Sequence, residues 1–224
     1  MSRIRKGYET RFRWLLQRVN ARRLDQGVGW FAARAQQASS DQQIRYEEAL
    51  ARVYDDVAAK PAIQKRRTTL PAERFFCDAG LGGLARWLRA AGHEALWTSG
   101  IDDDELLVEA RELGATILTT DSMLMERRIL RDRLLPSLWL PPSLSIEEQL
   151  SAVFREFNLS LRAPRCMSCG GRLIPSEKEK LRERIPPRTY LWRNEYFVCA
   201  NCGKLFWHGT HWEKIVRTLK ALEP

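Results

Sequence analysis

The chain has 224 residues, 44% of them hydrophobic and 29% charged, with a formal net charge of +9. That length and composition allow one large domain or two small ones with a packed core, and no run approaches the roughly 18 apolar residues of a membrane span. The basic N-terminus "MSRIRKGYETRFRW" has no apolar h-region, so no secretory signal is read and a cytoplasmic location is expected.

Residues 1–70 hold 15 Lys/Arg against 7 Asp/Glu, whereas the remaining 154 residues hold 22 against 21. The excess positive charge therefore sits at the N-terminal end. Two readings stand side by side: a polyanionic partner such as nucleic acid, or a solvated arm. Phe12, Leu15, Leu16 and Val19 form an apolar stripe with Arg11, Arg13, Arg18, Arg22 and Arg23 around it, which predicts a helix. "DQGVG" interrupts. Tyr46, Leu50, Val53, Tyr54 and Val57 recur at helical spacing, and this second helix begins near Asp41 and is ended by Pro61. "QKRRTTLP", residues 64–71, reads as a linker.

From Arg74 the pattern alternates. "RFFCDA", "EALWTS", "ATILTTD" and "SLWL" read as strands, and Leu81–Ala91, Asp103–Leu113, Met123–Leu135 and Ile146–Phe157 as helices. Four strands each followed by a helix imply right-handed crossovers, hence an α/β fold with a parallel sheet between helices. After Cys166 come short β-like runs, "TYLW", "EYFVC" and "KLFW", and a last helix from about His211 to Leu222.

Two carboxylates follow predicted strands: Asp78 after the first and Asp121 after the third. In open α/β sheets the ligand crevice lies outside the carboxyl ends of the strands. "GIDDDELL" adds Asp102, Asp103, Asp104 and Glu105. Asp102 and Glu105 have capping-box spacing, which leaves Asp103 or Asp104 to face the crevice. Converging carboxylates need a counter-charge, and Mg²⁺ or Mn²⁺ suits oxygen ligands. Such an ion polarises a phosphoryl oxygen and activates water. The bland alternative makes each aspartate a cap worth about 1 kcal/mol. "GLGG" is not a dinucleotide fingerprint and reads as geometry for starting a helix. Arg86 and Arg89 follow Asp78 on its helix and are candidates to bind a phosphate backbone.

Cys166, Cys169, Cys199 and Cys202 form C-x2-C-x29-C-x2-C, with Gly170 and Gly203 after each knuckle where the turn needs a positive φ. Four thiolates make a closed tetrahedral, structural Zn²⁺ site with no place for water.

"FFCDAGLGGLARWLRAAGHEAL", "DDDELLVEARELGATILTTDSML", the paired knuckles and "CGKLFWHGTHW" together resemble the PIN-like ribonuclease family with a C-terminal zinc ribbon, the Mut-seven C-terminal RNase domain family. The resemblance covers about residues 73–220. It implies a PIN-like nuclease core with divalent-metal-dependent RNase activity. Asp78 matches the first-strand acid, Asp103 the acid seven residues before the helix alanine, here Ala110, and Asp121 the acid of the "TTD" segment. Met123 stands where some relatives have a second aspartate, leaving Asp104 or Asp132 as the fourth ligand. Residues 1–70 match nothing in that pattern.

The expected organisation is a basic helical extension at 1–70, a PIN-like core at 73–160, and a zinc ribbon with a C-terminal helix at 164–222. The expected function is a metal-dependent ribonuclease. Asp78, Asp103 and Asp121 would hold Mg²⁺ or Mn²⁺, Arg86 and Arg89 would contact RNA, and Zn²⁺ would be structural. The N-terminal segment would add electrostatic affinity, or contact a ribosome or protein partner. Because the acids all lie beyond Arg74, cleavage is expected to survive its removal. Two alternatives remain: a non-catalytic RNA- or ribosome-binding module, and a partner-regulated, toxin-like nuclease, which exposure of Tyr46, Tyr54 and Val57 would favour.

Overall fold

A computed structural model describes residues 2–19, 21–60 and 73–221. Pro61, the linker read at 64–71 and Leu222 lie outside the described residues. In chain order the elements are α1 (Arg3–Arg18), α2 (Leu24–Gln42), α3 (Tyr46–Ala58), β1 (Arg74–Cys77), α4 (Gly82–Ala90), β2 (Glu94–Leu96), α5 (Asp103–Glu112), β3 (Thr116–Thr119), α6 (Arg128–Arg131), β4 (Ser137–Trp139), α7 (Ile146–Phe157), β5 (Leu173–Ser176), α8 (Pro187–Trp192), β6 (Tyr196–Cys199), β7 (Leu205–Trp207) and α9 (Thr210–Lys220). None of the described helices is long and apolar enough to cross a membrane. The chain groups into two compact units, Met1–Leu70 with Thr119–Leu144, and Pro71–Leu118 with Ser145–Pro224.

In the first unit α1 and α3 carry the predicted stripes. Phe12 and Leu15 of α1 and Leu50, Val53, Tyr54 and Val57 of α3 are buried and Tyr46 is half-buried, so Tyr54 and Val57 offer no docking face. "DQGVG" does not separate two helices; it lies in the first turns of α2, a third helix between them. Its glycine is tolerated because the helices touch there: a Cβ on Gly27 would come within 2.6 Å of the Leu16 side chain. Phe31 of α2 stacks on Phe12, with ring centroids 4.7 Å apart. Gln43, left-handed at φ 53°, ends α2. The arginine ring is partly committed. Arg11 is buried with its guanidinium 3.9 Å above the Tyr54 ring, and Arg13 pairs with Asp25.

The segment 119–144 belongs to this same unit. The single helix expected over Met123–Leu135 is replaced by a 3-10 turn, Leu124–Glu126, and the one-turn α6. Arg127 between them has ψ 132°, outside the helical region, and Arg133 is left-handed at φ 59°. Trp139 of β4 is fully buried, and Tyr8 of α1 meets it edge-on at 5.5 Å.

The second unit holds the parallel ladders: β1 lies between β2 and β3 and pairs with both. The sheet is flanked by helices, and Phe75, Phe76, Ile117 and Leu118 are buried in it, as continuous apolar strands in parallel sheets require. Gly92 (φ 90°) and Gly114 (φ 60°) close α4 and α5 as read from the sequence. Beyond α7, β5, β6 and β7 form an antiparallel sheet, ordered β5-β6-β7. "TYLW" is helical rather than extended: Pro187 takes a first-turn position of α8, where its missing N–H is harmless.

His93 links the end of α4 to the chain leaving α7. It is fully buried, hydrogen-bonds the Ser160 carbonyl through Nε2 at 3.0 Å, and lies edge-on to Phe154. Burial, and then the charge of Arg162, lower its pKa from the usual 6.5 to about 4. Below pH 6.5 the unfolded chain takes a proton here that the folded chain does not accept until about pH 4. Stability therefore falls with pH across that window, by up to ~1.4 kcal/mol per pH unit from this group. Denaturant melts of His93→Leu should show a shallower acid limb; an equally steep limb would assign it to other groups.

Candidate functional site

Apart from Asp132, which ends α6, each candidate acid sits where the chain leaves a strand or enters a helix. Asp78 follows the buried β1. Its backbone N–H donates to the Leu118 carbonyl at 2.9 Å, continuing the β1–β3 ladder by one residue. Its carboxylate accepts the Gly80 N–H at 3.0 Å and caps the turn that leads into α4, so "GLGG" does start a helix. Asp102 caps α5, accepting the Glu105 N–H at 2.8 Å. Asp103 and Asp104 are then left as exposed residues of its first turn. Asp132 pairs with Arg128 and Arg131 at 3.4 and 3.1 Å.

Asp121 is half-buried. Its N–H donates to Thr119 Oγ1 at 2.9 Å, and its Oδ1 accepts the Met123 N–H at 2.7 Å. It borders a cavity of about 260 Å³ lined by Arg3, Thr120, Asp121, Ser122, Trp139 and Pro142. Trp139 fixes one wall, its indole N–H donating to the Thr120 carbonyl at 3.0 Å. Ser122 Oγ is buried with no hydrogen-bond partner among the described residues. Arg3, Ser122 and Trp139 are the neighbours of Asp121 that no spacing in the sequence announces. Asp78 and Asp103 belong to the second compact unit and Asp121 to the first.

The two arginines of α4 have different surroundings. Arg86 is exposed. Arg89 is 4% exposed, and its guanidinium donates to three carbonyls: Ala95 at 2.7 Å, Met167 at 3.2 Å and Ser168 at 2.9 Å. Burial lowers its pKa, and the neighbouring Cys77, Cys169 and Cys166 act in the opposite direction. Arg89 thus holds the first cysteine knuckle against the end of β2.

The four cysteines come together, with their sulfurs all within 4.8 Å of one another. Cys166 Sγ lies 3.7 Å from Cys202 Sγ, and Cys169 Sγ 3.4 Å from Cys199 Sγ. A Zn–S bond of ~2.3 Å puts the corners of a tetrahedron ~3.8 Å apart, so the sulfurs fit a structural metal such as zinc. Gly170 (φ 79°) and Gly203 (φ 68°) make the predicted turns. Burial pushes the Cys166 and Cys169 thiols up, the latter to about 12. Burial acts likewise on Cys199, but the Cys202 and Asn201 N–H groups aimed at its sulfur outweigh it and bring it to about 6. Buried Cys77 has its pKa raised, by burial and then by Asp78, and stands apart from this group.

The family model of the Mut7-C RNAse domain matches residues 73–219, from the start of β1 to the last turn of α9. No curated protein and no solved structure gave a match. That span is about two-thirds of the chain and includes Asp78, Asp103, Asp121 and the four cysteines; the chain belongs to the Mut7-C RNAse domain family.

Proposed function

We propose that the protein is a divalent-metal-dependent ribonuclease with a PIN-like core at residues 73–160, braced by a zinc ribbon at 164–222. What carries the reading is that Asp78 and Asp121 leave the carboxyl ends of β1 and β3, which are hydrogen-bonded neighbours, within a span matched by a ribonuclease family. Asp78, Asp103 and Asp121 are the ligands for Mg²⁺ or Mn²⁺, and the all-oxygen donor set suits a hard cation. When bound, such an ion supplies polarisation of the scissile phosphoryl group and a water of lowered pKa. The chain's own groups do the rest. The capping hydrogen bonds from Gly80 and Met123 hold the carboxylates of Asp78 and Asp121 in fixed orientations. Arg3 brings a guanidinium to the Asp121 cavity, where it can hold a phosphate, and the Ser122 hydroxyl can donate to the same group. Arg86 contacts the RNA backbone. Arg89 positions the knuckle.

One observation favours a non-catalytic RNA-binding module: Met123, where a fourth acid would stand, is an exposed thioether. Cleavage of a single-stranded RNA by the full chain decides between them. Degradation with Mn²⁺, arrest by EDTA and recovery on adding Mn²⁺, with zinc content checked throughout, is the expected pattern. Asp78→Asn and Asp121→Asn should each lose activity by orders of magnitude with melting temperature held or raised, since a repelling charge is removed. If both variants cut as fast as the parent chain at saturating Mn²⁺, these carboxylates are caps and the reading falls.

A further inference from the structure

In the second unit, β7, α8 and the start of α9 enclose an open cavity of about 620 Å³ beside the exposed face of α4. Its lining alternates rings and cations. Trp192, Trp207 and Trp212 supply indoles, and Arg86, Arg188 and Lys204 supply charge. No carboxylate lines it, and none of these three cations has a carboxylate partner among the described residues. A further lining cation, Arg193, lies 3.7 Å from Glu213.

The backbone that carries the Trp192 ring is anchored, and Trp212 is stacked on a neighbour. Trp192 is 79% exposed, a large apolar surface to leave in water. It ends a short helix whose first turn is set by Pro187 and whose far end is tied down by Tyr196. The Tyr196 hydroxyl, in a side chain 2% exposed, bonds the carbonyls of Thr189 and Arg193 at 3.0 and 3.2 Å. Trp212 is stacked on His208 with planes 15° apart, and His208 is anchored to Glu195 at 2.9 Å. Lys204 is oriented by Ser168 Oγ at 2.9 Å.

We propose that this cavity is a docking site for single-stranded RNA, in which bases stack on Trp192 and its neighbouring indoles while Arg86, Arg188 and Lys204 hold phosphates. The choice of RNA rests on the ribonuclease reading; the cavity itself does not. Aromatic platforms interleaved with cations that have no carboxylate partner suit a strand in which every unit carries one π-face and one negative charge, and they need no particular base. An acidic polypeptide would satisfy the cations but bring no ring for each charge. Because α4 starts at the Asp78 turn and carries Arg86, one helix joins the cavity to a candidate catalytic residue.

The test is anisotropy of a fluorescein-labelled oligouridylate on the full chain carrying Asp121→Asn, so that the probe is not degraded. Trp192→Ala should weaken binding about 5- to 150-fold, the range for loss of one stacked base, and Trp192→Phe should restore most of it. Trp192 is so exposed that melting temperature and zinc content should not change. The Arg86→Ala, Arg188→Ala pair should reduce the slope of log K against log salt by about 1.4, two single-strand phosphate contacts. Unchanged affinity and slope in both variants would overturn the proposal. So would variants that lose binding to polyglutamate while keeping the oligouridylate, which would make the cavity a protein site. If the oligomer binds through the cavity but the parent chain cuts no RNA with Mn²⁺, the ribonuclease reading fails and the cavity stands. If the parent cuts and the cavity variants bind like it, the cavity fails alone.

Discussion

Replacing Cys199 with serine should release the bound metal and unfold residues 165–221, while β1, β2, β3 and α7 keep their structure. The C-terminal sheet cannot hold itself. Its own buried cluster is Leu181, Ile185 and Tyr196, and segments of that size need a metal or a disulfide to fold. Structural zinc contributes on the order of 10 kcal/mol of apparent binding energy in small zinc-binding peptides, more than the roughly 5–9 kcal/mol from burying three such side chains. Cys199 is the right ligand to remove. It sits at the end of β6, is buried, and receives the N–H of Asn201 at 3.4 Å, so serine would leave a sheet end and a knuckle unsupported together. Unfolding would also take away the Met167 and Ser168 carbonyls that accept from the Arg89 guanidinium. Metal analysis of protein purified without chelator should give one zinc per chain, falling to none in the variant, and limited proteolysis should remove the C-terminal segment and stop near residue 160. A parent protein without zinc, or a variant as resistant to protease as the parent, would show that the four sulfurs are only packed thiols.

What the sequence made legible was local. The α7 boundaries agree residue for residue with the expectation, because Ser145 and Glu148 form a reciprocal capping box and Leu150, Val153 and Phe154 repeat at helical spacing. The cysteine site was legible for the same reason: each knuckle is four residues plus a glycine. α2 was not, since its inward face is only Val28, Phe31 and Ala35, and alanine barely registers as apolar periodicity. The helix expected over Met123–Leu135 shows the opposite failure. The pattern was apolar enough, but Asp121 takes the Met123 N–H into a turn and Arg127 leaves the helical region. Arg86 and Arg89 are one turn apart on one helix and indistinguishable in sequence. Carbonyls nearly 80 residues downstream make one of them structural. The Asp121 cavity was half legible. The acid announced itself, whereas Arg3 and Trp139 reach it from positions that no short motif connects.

That last pairing changes what should happen when the N-terminal segment is removed. A chain lacking residues 1–60 should lose stability and cleavage together, and not merely RNA affinity. Trp139 is fully buried because α1 covers it: Tyr8 packs on its ring, and an added Cβ on Gly7 would overlap that ring. Trp139 in turn bonds the Thr120 carbonyl, one residue before Asp121, and Lys6 lies 3.7 Å from Glu126 in the turn beyond. Stripping α1 therefore exposes an indole and loosens the residues that orient the acid; uncovering a side chain of that size costs about 3–5 kcal/mol by comparison with Trp→Ala truncations. Two milder changes separate packing from charge. Gly7→Ala should raise helix propensity by about 1 kcal/mol yet destabilise the protein, because overlap with a buried ring costs about 1–3 kcal/mol and α1 cannot shift without uncovering Tyr8 and Phe12. Arg22→Gln with Arg23→Gln, both exposed, should leave melting temperature and saturated cleavage alone. If those arginines touch RNA, that pair should also flatten the salt dependence of binding by about 0.7 for each lost contact. Calorimetry and saturated cleavage rates on the three proteins distinguish the cases. Should the chain lacking 1–60 melt and cut like the parent, the segment is a detachable arm, its positive charge is its function, and the packing of Gly7 and Tyr8 on Trp139 contributes nothing the nuclease needs.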